Sequence, residues 1–347
     1  MKAERILAAA LCLALSVGLS ACGNSRESQS STAPSQTSLT SSSPQQTTTA
    51  QTTTTTSQTT TTTAQTTTPP IPTDKVSKQL FDSLVDGVTS QVQNNKIIQT
   101  GTLRGTTFTL TIDLTKWAKK TSVEQITVLS KLFWQCYPKM YSRFADLSSP
   151  PKSVTLAIEN SGYEVAEASG DFIHLNDNWL AENPTDYDCI THELAHVIQA
   201  GWNSDYLEYS DYIERFADCC RYEYAFDNGL YNDAVWTLQT VRDEPTRESS
   251  VRFLVWLDAT CSTDSYDFLR SYFKTCKSGN YYTADWSAAW SAILKGTPYE
   301  NMTIEQVWAK YAASDFATLY SMSESGTPSE LLQKYNIRSK ADSLAAR

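Results

Sequence analysis

No phenylalanine, tyrosine or tryptophan occurs in the first 73 residues, so all 38 aromatic side chains of this 347-residue chain fall within residues 74–347. Across residues 23–73, 30 of 51 positions are Ser or Thr. Such a stretch has too little apolar surface to offset the conformational entropy lost on folding. The chain therefore divides into a flexible N-terminal part and 274 residues able to build a proper core. Within 74–347 we find no internal repeat and no compositional break, and we read it as one domain.

Charge follows the same boundary. The first 73 residues hold three basic and two acidic side chains, which leaves 25 basic against 36 acidic in residues 74–347, a net −11. Nucleic-acid binding calls for a basic face, so nucleic acid is not an expected partner. At the N-terminus, Lys2 and Arg5 precede an apolar run from Ile6 to Leu19, the layout of an export signal. At about 14 residues that run is too short to span a bilayer comfortably. It ends in Leu19-Ser20-Ala21-Cys22, which resembles a bacterial lipobox. That resemblance implies a signal peptide over 1–21, lipid attachment at Cys22, and a lipid-anchored Ser/Thr/Gln-rich linker over 22–73. The linker would have an end-to-end distance of roughly 40 Å. The domain is then expected outside the cytoplasm at the cell surface, touching the membrane through its N-terminal lipid only. Ordinary secretory cleavage near Ala21 is the alternative.

Residues 107–114 alternate polar and apolar side chains and predict a half-buried strand. Thr121 with Glu124 reads as a capping box opening a helix that ends near Pro138. Val154, Leu156 and Ile158 suggest a second strand and residues 171–175 a third. Beyond Pro184 the pattern is mainly helical.

One constellation carries chemistry. His192-Glu193-Leu194-Ala195-His196 lies in the helical region, where residues at i and i+4 share a face, so both imidazoles can hold one Zn²⁺. Glu193 falls about 100° around the helix, beside the metal, where a carboxylate can take a proton from water. A catalytic zinc takes three protein ligands and keeps one open position. Gln199 and Trp202 stand where a metzincin needs Gly and His, so the third ligand is a downstream carboxylate: Glu208, Asp211, Glu214 or Asp218. The Glu214/Asp218 spacing resembles the E-x-x-x-D pair of gluzincins. By that likeness Glu214 is the third ligand and Asp218 holds a ligand imidazole, His192, in its metal-binding tautomer.

The chain resembles the basic secretory protein family of zincin metallopeptidases over roughly residues 100–313. The likeness is carried by residues 173–175, 188–199, 214–221 and 303–311. It implies an α+β, zincin-like fold: a small mixed sheet whose edge strand can hold an extended peptide, then an active-site helix and a mainly helical C-terminal part. It also implies one Zn²⁺ per domain and hydrolysis of peptide bonds in a peptide or protein substrate, with Glu193 as general base. Three features depart from the family: the acidic domain, the lipobox with its stalk, and Arg215 where the family usually carries Gly. The last questions how closely the two metal-bearing helices approach. A zinc hydrolase of another amide and an inactive surface adhesin with a structural zinc are the competing readings.

His174, on the presumed edge strand, is either a partly buried strand histidine or a group contacting substrate. Tyr206, Tyr209 and Tyr222 are candidate oxyanion donors. Cys136, Cys189, Cys219, Cys220, Cys261 and Cys276 suggest disulfides in an exported domain, with Cys261–Cys276 the most plausible local bridge; the alternative is small buried thiols. Trp286, Trp290 and Trp308 read as core.

Overall fold

The computed structural model describes residues 86–160, 162, 164–184, 186–200, 210–225, 251–277, 286–317 and 337–346. The expected signal peptide, Cys22 and the linker lie outside them, as do Trp202, Tyr206, Glu208, Tyr209 and the side chains of Asp211 and Trp286. The described residues all belong to one compact unit. Among them no helix is long and apolar enough to cross a membrane.

Two tight hairpins open the sheet. Strands β1 (Val88–Gln93), β2 (Lys96–Leu103) and β3 (Thr106–Asp113) pair antiparallel. Their two-residue turns, Asn94-Asn95 and Arg104-Gly105, have positive φ throughout, the conformation that matches strand twist and that Asn and Gly adopt most easily. Only β3 shows clean alternation in the sequence. β1 and β2 are too polar to announce themselves, and β2 buries Gln99, whose Oε1 accepts from Ser130 and Trp134, each at 2.7 Å. A β-carbon at Gly101 would sit 2.8 Å from Val88 Cγ2 and 3.1 Å from the Trp134 ring, so the strand must lack a side chain there.

Helix α1 (Val123–Ser148) crosses back so that β4 (Ser153–Glu159) pairs parallel to β3. Its capping box is formed by Ser122 and Gln125, one residue beyond the expected Thr121/Glu124 pair. Thr121 instead gives its hydroxyl and amide protons to Asp177. The helix also runs ten residues past Pro138. An internal proline costs about 3 kcal/mol, and the burial of Tyr137, Met140, Arg143 and Phe144 around it offsets that loss. The helix stops at Ser149, left-handed at φ 54°, ahead of Pro150-Pro151.

Strands β5 (Ala166–Ser169) and β6 (Phe172–Asn176) complete a six-stranded mixed sheet in the order β1-β2-β3-β4-β6-β5. The expected α+β order holds, with one correction. His174 sits on β6, inside the sheet, and β5 is the edge strand on that side. Helices follow: α2 (Asp177–Glu182), α3 (Cys189–Gln199), α4 (Ser210–Ala225), α5 (Val251–Cys261), α6 (Phe268–Lys277), α7 (Trp286–Leu294), α8 (Ile304–Ala312) and α9 (Ile337–Ala345).

One sheet face carries Phe108, Leu110, Ile112, Val154, Leu156, Ile158, Ile173 and Leu175, all buried, and Phe108 meets Tyr137 and Tyr141 of α1 edge-on. Phe144, Phe216 and Phe273 join α1, α4 and α6 at centroid distances of 5.1–5.7 Å. Phe253, Trp256, Trp290, Trp308 and Tyr311 join α5, α7 and α8, so Trp290 and Trp308 are packing residues.

The six cysteines are buried as thiols, and the expected Cys261–Cys276 bridge is not formed. Cys136, Cys189 and Cys219 meet main-chain or side-chain oxygens at 3.1–3.6 Å. Burial pushes the Cys189, Cys219 and Cys220 thiols well up and Cys276 up to about 12. Protonated and apolar, they serve as small core residues.

Arg143 is the charged pivot of the core. Its guanidinium, inaccessible to solvent, meets Glu223 of α4 at 3.0 Å, Asp258 of α5 at 3.0 Å and Asp267 at 2.8 Å. Burial pushes the Glu223 carboxyl up, and the negative charge of Asp258 beside it adds to the effect. Burial also pushes Asp258 up, but the Arg143 charge outweighs it and holds Asp258 below the usual carboxylate range. Glu223 is therefore the protonated member, donating to Asp258.

Two outcomes follow from this cluster. Arg143→Met leaves buried carboxylates uncompensated and is expected to cost about 3–5 kcal/mol in urea unfolding. Glu223 titrates higher in the folded than in the unfolded chain, so its contribution is complete below its ordinary value of 4.5 and is lost as pH rises towards its folded value. Glu223→Gln removes that loss. Unfolding midpoints measured from pH 4 to 8 should diverge in favour of the variant as pH rises; parallel curves for the two proteins would contradict the assignment.

Candidate metal centre

Helix α3 is buried along nearly its whole length, from Cys189 to Gln199, with only the His196 imidazole reaching partly to solvent. Its helical pitch brings the His192 and His196 rings to a centroid distance of 4.7 Å. Helix α4 lies antiparallel to it. The order of contacts fixes that direction: Gln199 meets Ile213, His196 meets Glu214, His192 meets Asp218, and Asp188 meets Arg221.

Three donor atoms converge between the helices. His192 Nε2 lies 3.0 Å from His196 Nε2 and 3.1 Å from Glu214 Oε2, and His196 Nε2 lies 3.5 Å from Glu214 Oε1. The group as a whole, with one ligand atom from each residue, fits within 4.8 Å. Bonds of about 2.0–2.1 Å in tetrahedral geometry would set two such atoms about 3.3 Å apart. His192, His196 and Glu214 can therefore hold a metal ion.

Each imidazole is oriented from behind. His192 Nδ1 lies 2.7 Å from Asp218 Oδ1, and His196 Nδ1 lies 2.7 Å from Gln199 Oε1. Gln199 Nε2 donates to the Ile213 carbonyl at 2.9 Å, which fixes the amide so that its oxygen faces His196. Carboxylate and amide oxygens only accept, so both Nδ1 atoms carry protons and each ring turns Nε2, the nitrogen able to bind a cation, to the centre. Asp218 thus faces the back of an imidazole, and among the described residues Glu214 is the carboxylate grouped with the two Nε2 atoms.

Electrostatics hold the group together. Burial pushes the Glu214 carboxyl up, but the His196 charge and hydrogen bonds from both imidazoles outweigh it and hold Glu214 far below its usual range. Burial disfavours a charged His196, yet the Glu214 charge outweighs it and raises that imidazole. Glu193 is different. It is 8% exposed, and burial raises its carboxyl despite the pull of His192 and His196. The backbone N–H of Ala168, on edge strand β5, donates to it.

Arg215 does not hold the helices apart. It is buried on the flank of α4, its guanidinium 4.6 Å from the centre of the Tyr212 ring. His174 meets Glu159 at 2.5 Å, and Glu159 meets Lys116 at 2.9 Å. Strand alternation puts His174 on the face opposite Ile173 and Leu175, as a partly buried strand histidine. Tyr222 is core.

Two residues escaped the sequence reading. Gln199 entered it only as the absence of a glycine, although its position three after His196 puts it within reach of that ring. Arg221 of α4 binds Asp188 at 3.0–3.1 Å and Asp186 at 2.8 Å. Its partner Asp188 sits at the N-cap of α3 but makes no side-chain cap bond. A cavity of about 630 Å³ lined by Arg104, Phe108, Tyr141 and Arg270 contains none of the metal-centre residues.

No protein-family model matches the chain, no curated protein matches it, and no solved structure matches it.

Proposed function

We propose that the chain is a zinc metallopeptidase, similar to the basic secretory protein family, that hydrolyses peptide bonds outside the cell while tethered by a lipid on Cys22. The observation that carries this reading is the convergence of two back-bonded imidazoles and Glu214, with the buried Glu193 carboxyl beside them. Two nitrogen donors and one carboxylate make the ligand set of a catalytic Zn²⁺ site with one position left for water. When bound, Zn²⁺ polarises a carbonyl and lowers the pKa of water in that position.

The rest is the work of this chain. Glu193 sits one residue along α3 from His192, so its carboxylate flanks the metal position without ligating it. A carboxyl raised by burial can take a proton at neutral pH and release it to a leaving amine. The Ala168 N–H favours its charged form. Strand β5 ends the sheet order, and an extended peptide laid along its outer edge would pass beside Glu193. The acidic charge of the domain and its tether favour a peptide or protein substrate met at the cell surface.

The test uses the purified full chain. It should contain one Zn²⁺, cleave peptides from a mixed library, and stop when the metal is chelated. Glu193→Gln should retain Zn²⁺ and lose about 10²–10⁴-fold in turnover, whereas His192→Ala and Glu214→Ala should lose the metal. Full proteolysis by the Glu193 variant would remove that residue from the mechanism. Adding Zn²⁺ to the chelated protein at about 1,000 times its dissociation constant should raise stability by about 4 kcal/mol, read as a rise in Tm.

A further inference from the structure

We infer that Gln199 is a positioning residue of the metal centre, setting the tautomer of one ligand and the location of another with a single side-chain amide. This rests on the metallopeptidase reading and assigns a part that reading does not contain. The Gln199 Oε1 holds His196 Nδ1 at 2.7 Å and its Nε2 holds the Ile213 carbonyl at 2.9 Å. Ile213 immediately precedes Glu214, the third ligand. Gln199 is 3% exposed, so water does not compete strongly for either bond.

The chemistry is specific to glutamine. His196 needs an acceptor behind it, and Ile213 offers a carbonyl that needs a donor; one amide supplies both in opposite directions. Glutamate can accept from His196 but sets a second acceptor against the Ile213 carbonyl. Leucine, similar in size, does neither. Asparagine is one methylene too short to span the same gap. Asp218 performs the first task for His192, but a carboxylate has no proton to give a main-chain carbonyl. The His196 side of the site is thus tied to α4 directly, at the end where α3 terminates.

The experiment measures Zn²⁺ affinity of the full chain by competition with a chromophoric chelator, alongside the visible spectrum of the Co²⁺-loaded protein and thermal unfolding. Gln199→Leu should weaken Zn²⁺ binding about 10–100-fold and shift the Co²⁺ bands. Gln199→Glu, which keeps the acceptor, should lose less than the leucine variant. A lowered Tm with Zn²⁺ affinity and Co²⁺ spectrum unchanged in both variants would show a packing role only and overturn the inference. Wild-type protein that takes up no Zn²⁺ would overturn the metal-centre reading itself and this inference with it. The second variant guards against a leucine substitution that fails to fold.

Discussion

The antiparallel register of α3 against α4 is the constraint on which the site depends. Two histidines on one helix and a carboxylate on the next converge only if the helices neither slide nor rotate, and a slip of one residue turns Glu214 by about 100° away from the imidazoles. Polar clamps stand at both ends of the pair. Gln199 meets Ile213 where α3 ends, and Arg221 grips Asp188 and Asp186 where it begins. Between them, His192–Asp218 and the ligand contacts themselves fill the seam. Apolar packing alone would favour the association while leaving the register loosely specified.

The same division of labour reaches the core. Phe144, Phe216 and Phe273 supply attraction between α1, α4 and α6, and Arg143 supplies direction. Its planar fork meets carboxylates from α4, from α5 and from the turn before α6, so three segments are placed by one side chain. A buried ion cluster is a poor source of net stability because desolvation cancels much of the attraction. Its value here is placement of the helix that carries Glu214 and Asp218.

The site was more legible than the scaffold around it. The H-E-x-x-H spacing and the Glu214/Asp218 pair are local periodicities, and helix geometry converts them directly into positions. Gln199 showed the limit of that reasoning. Its helical phase is visible in the sequence, but its second partner, the Ile213 carbonyl, is a backbone atom that no side-chain pattern reveals. Strands β1 and β2 were missed because hairpin pairing, not apolar alternation, holds them. The helix through Pro138 and the unbridged Cys261 and Cys276 were misread for one common reason. In each case burial in a particular neighbourhood overrode a local or compositional rule: packing offset the missing N–H of the proline, and the core took in the two cysteines as small buried thiols.

The charge balance of the centre explains how such a site can exist before any ion arrives. Two neutral imidazoles and a carboxylate facing each other in a buried space would leave Glu214 without compensation, at a cost of several kcal/mol. Instead the Glu214 charge raises His196, and the imidazoles hold Glu214 below its usual range, so attraction keeps the three donors within reach of one another. A cation held there would find the three donors already gathered, and little side-chain ordering would remain to be done. Glu193 feels the same charges: burial raises its carboxyl, His192 and His196 pull it down, and Glu214 pushes it up. The Ala168 N–H on β5 favours its charged form, so the proposed base is coupled to the sheet edge as well as to the helix pair.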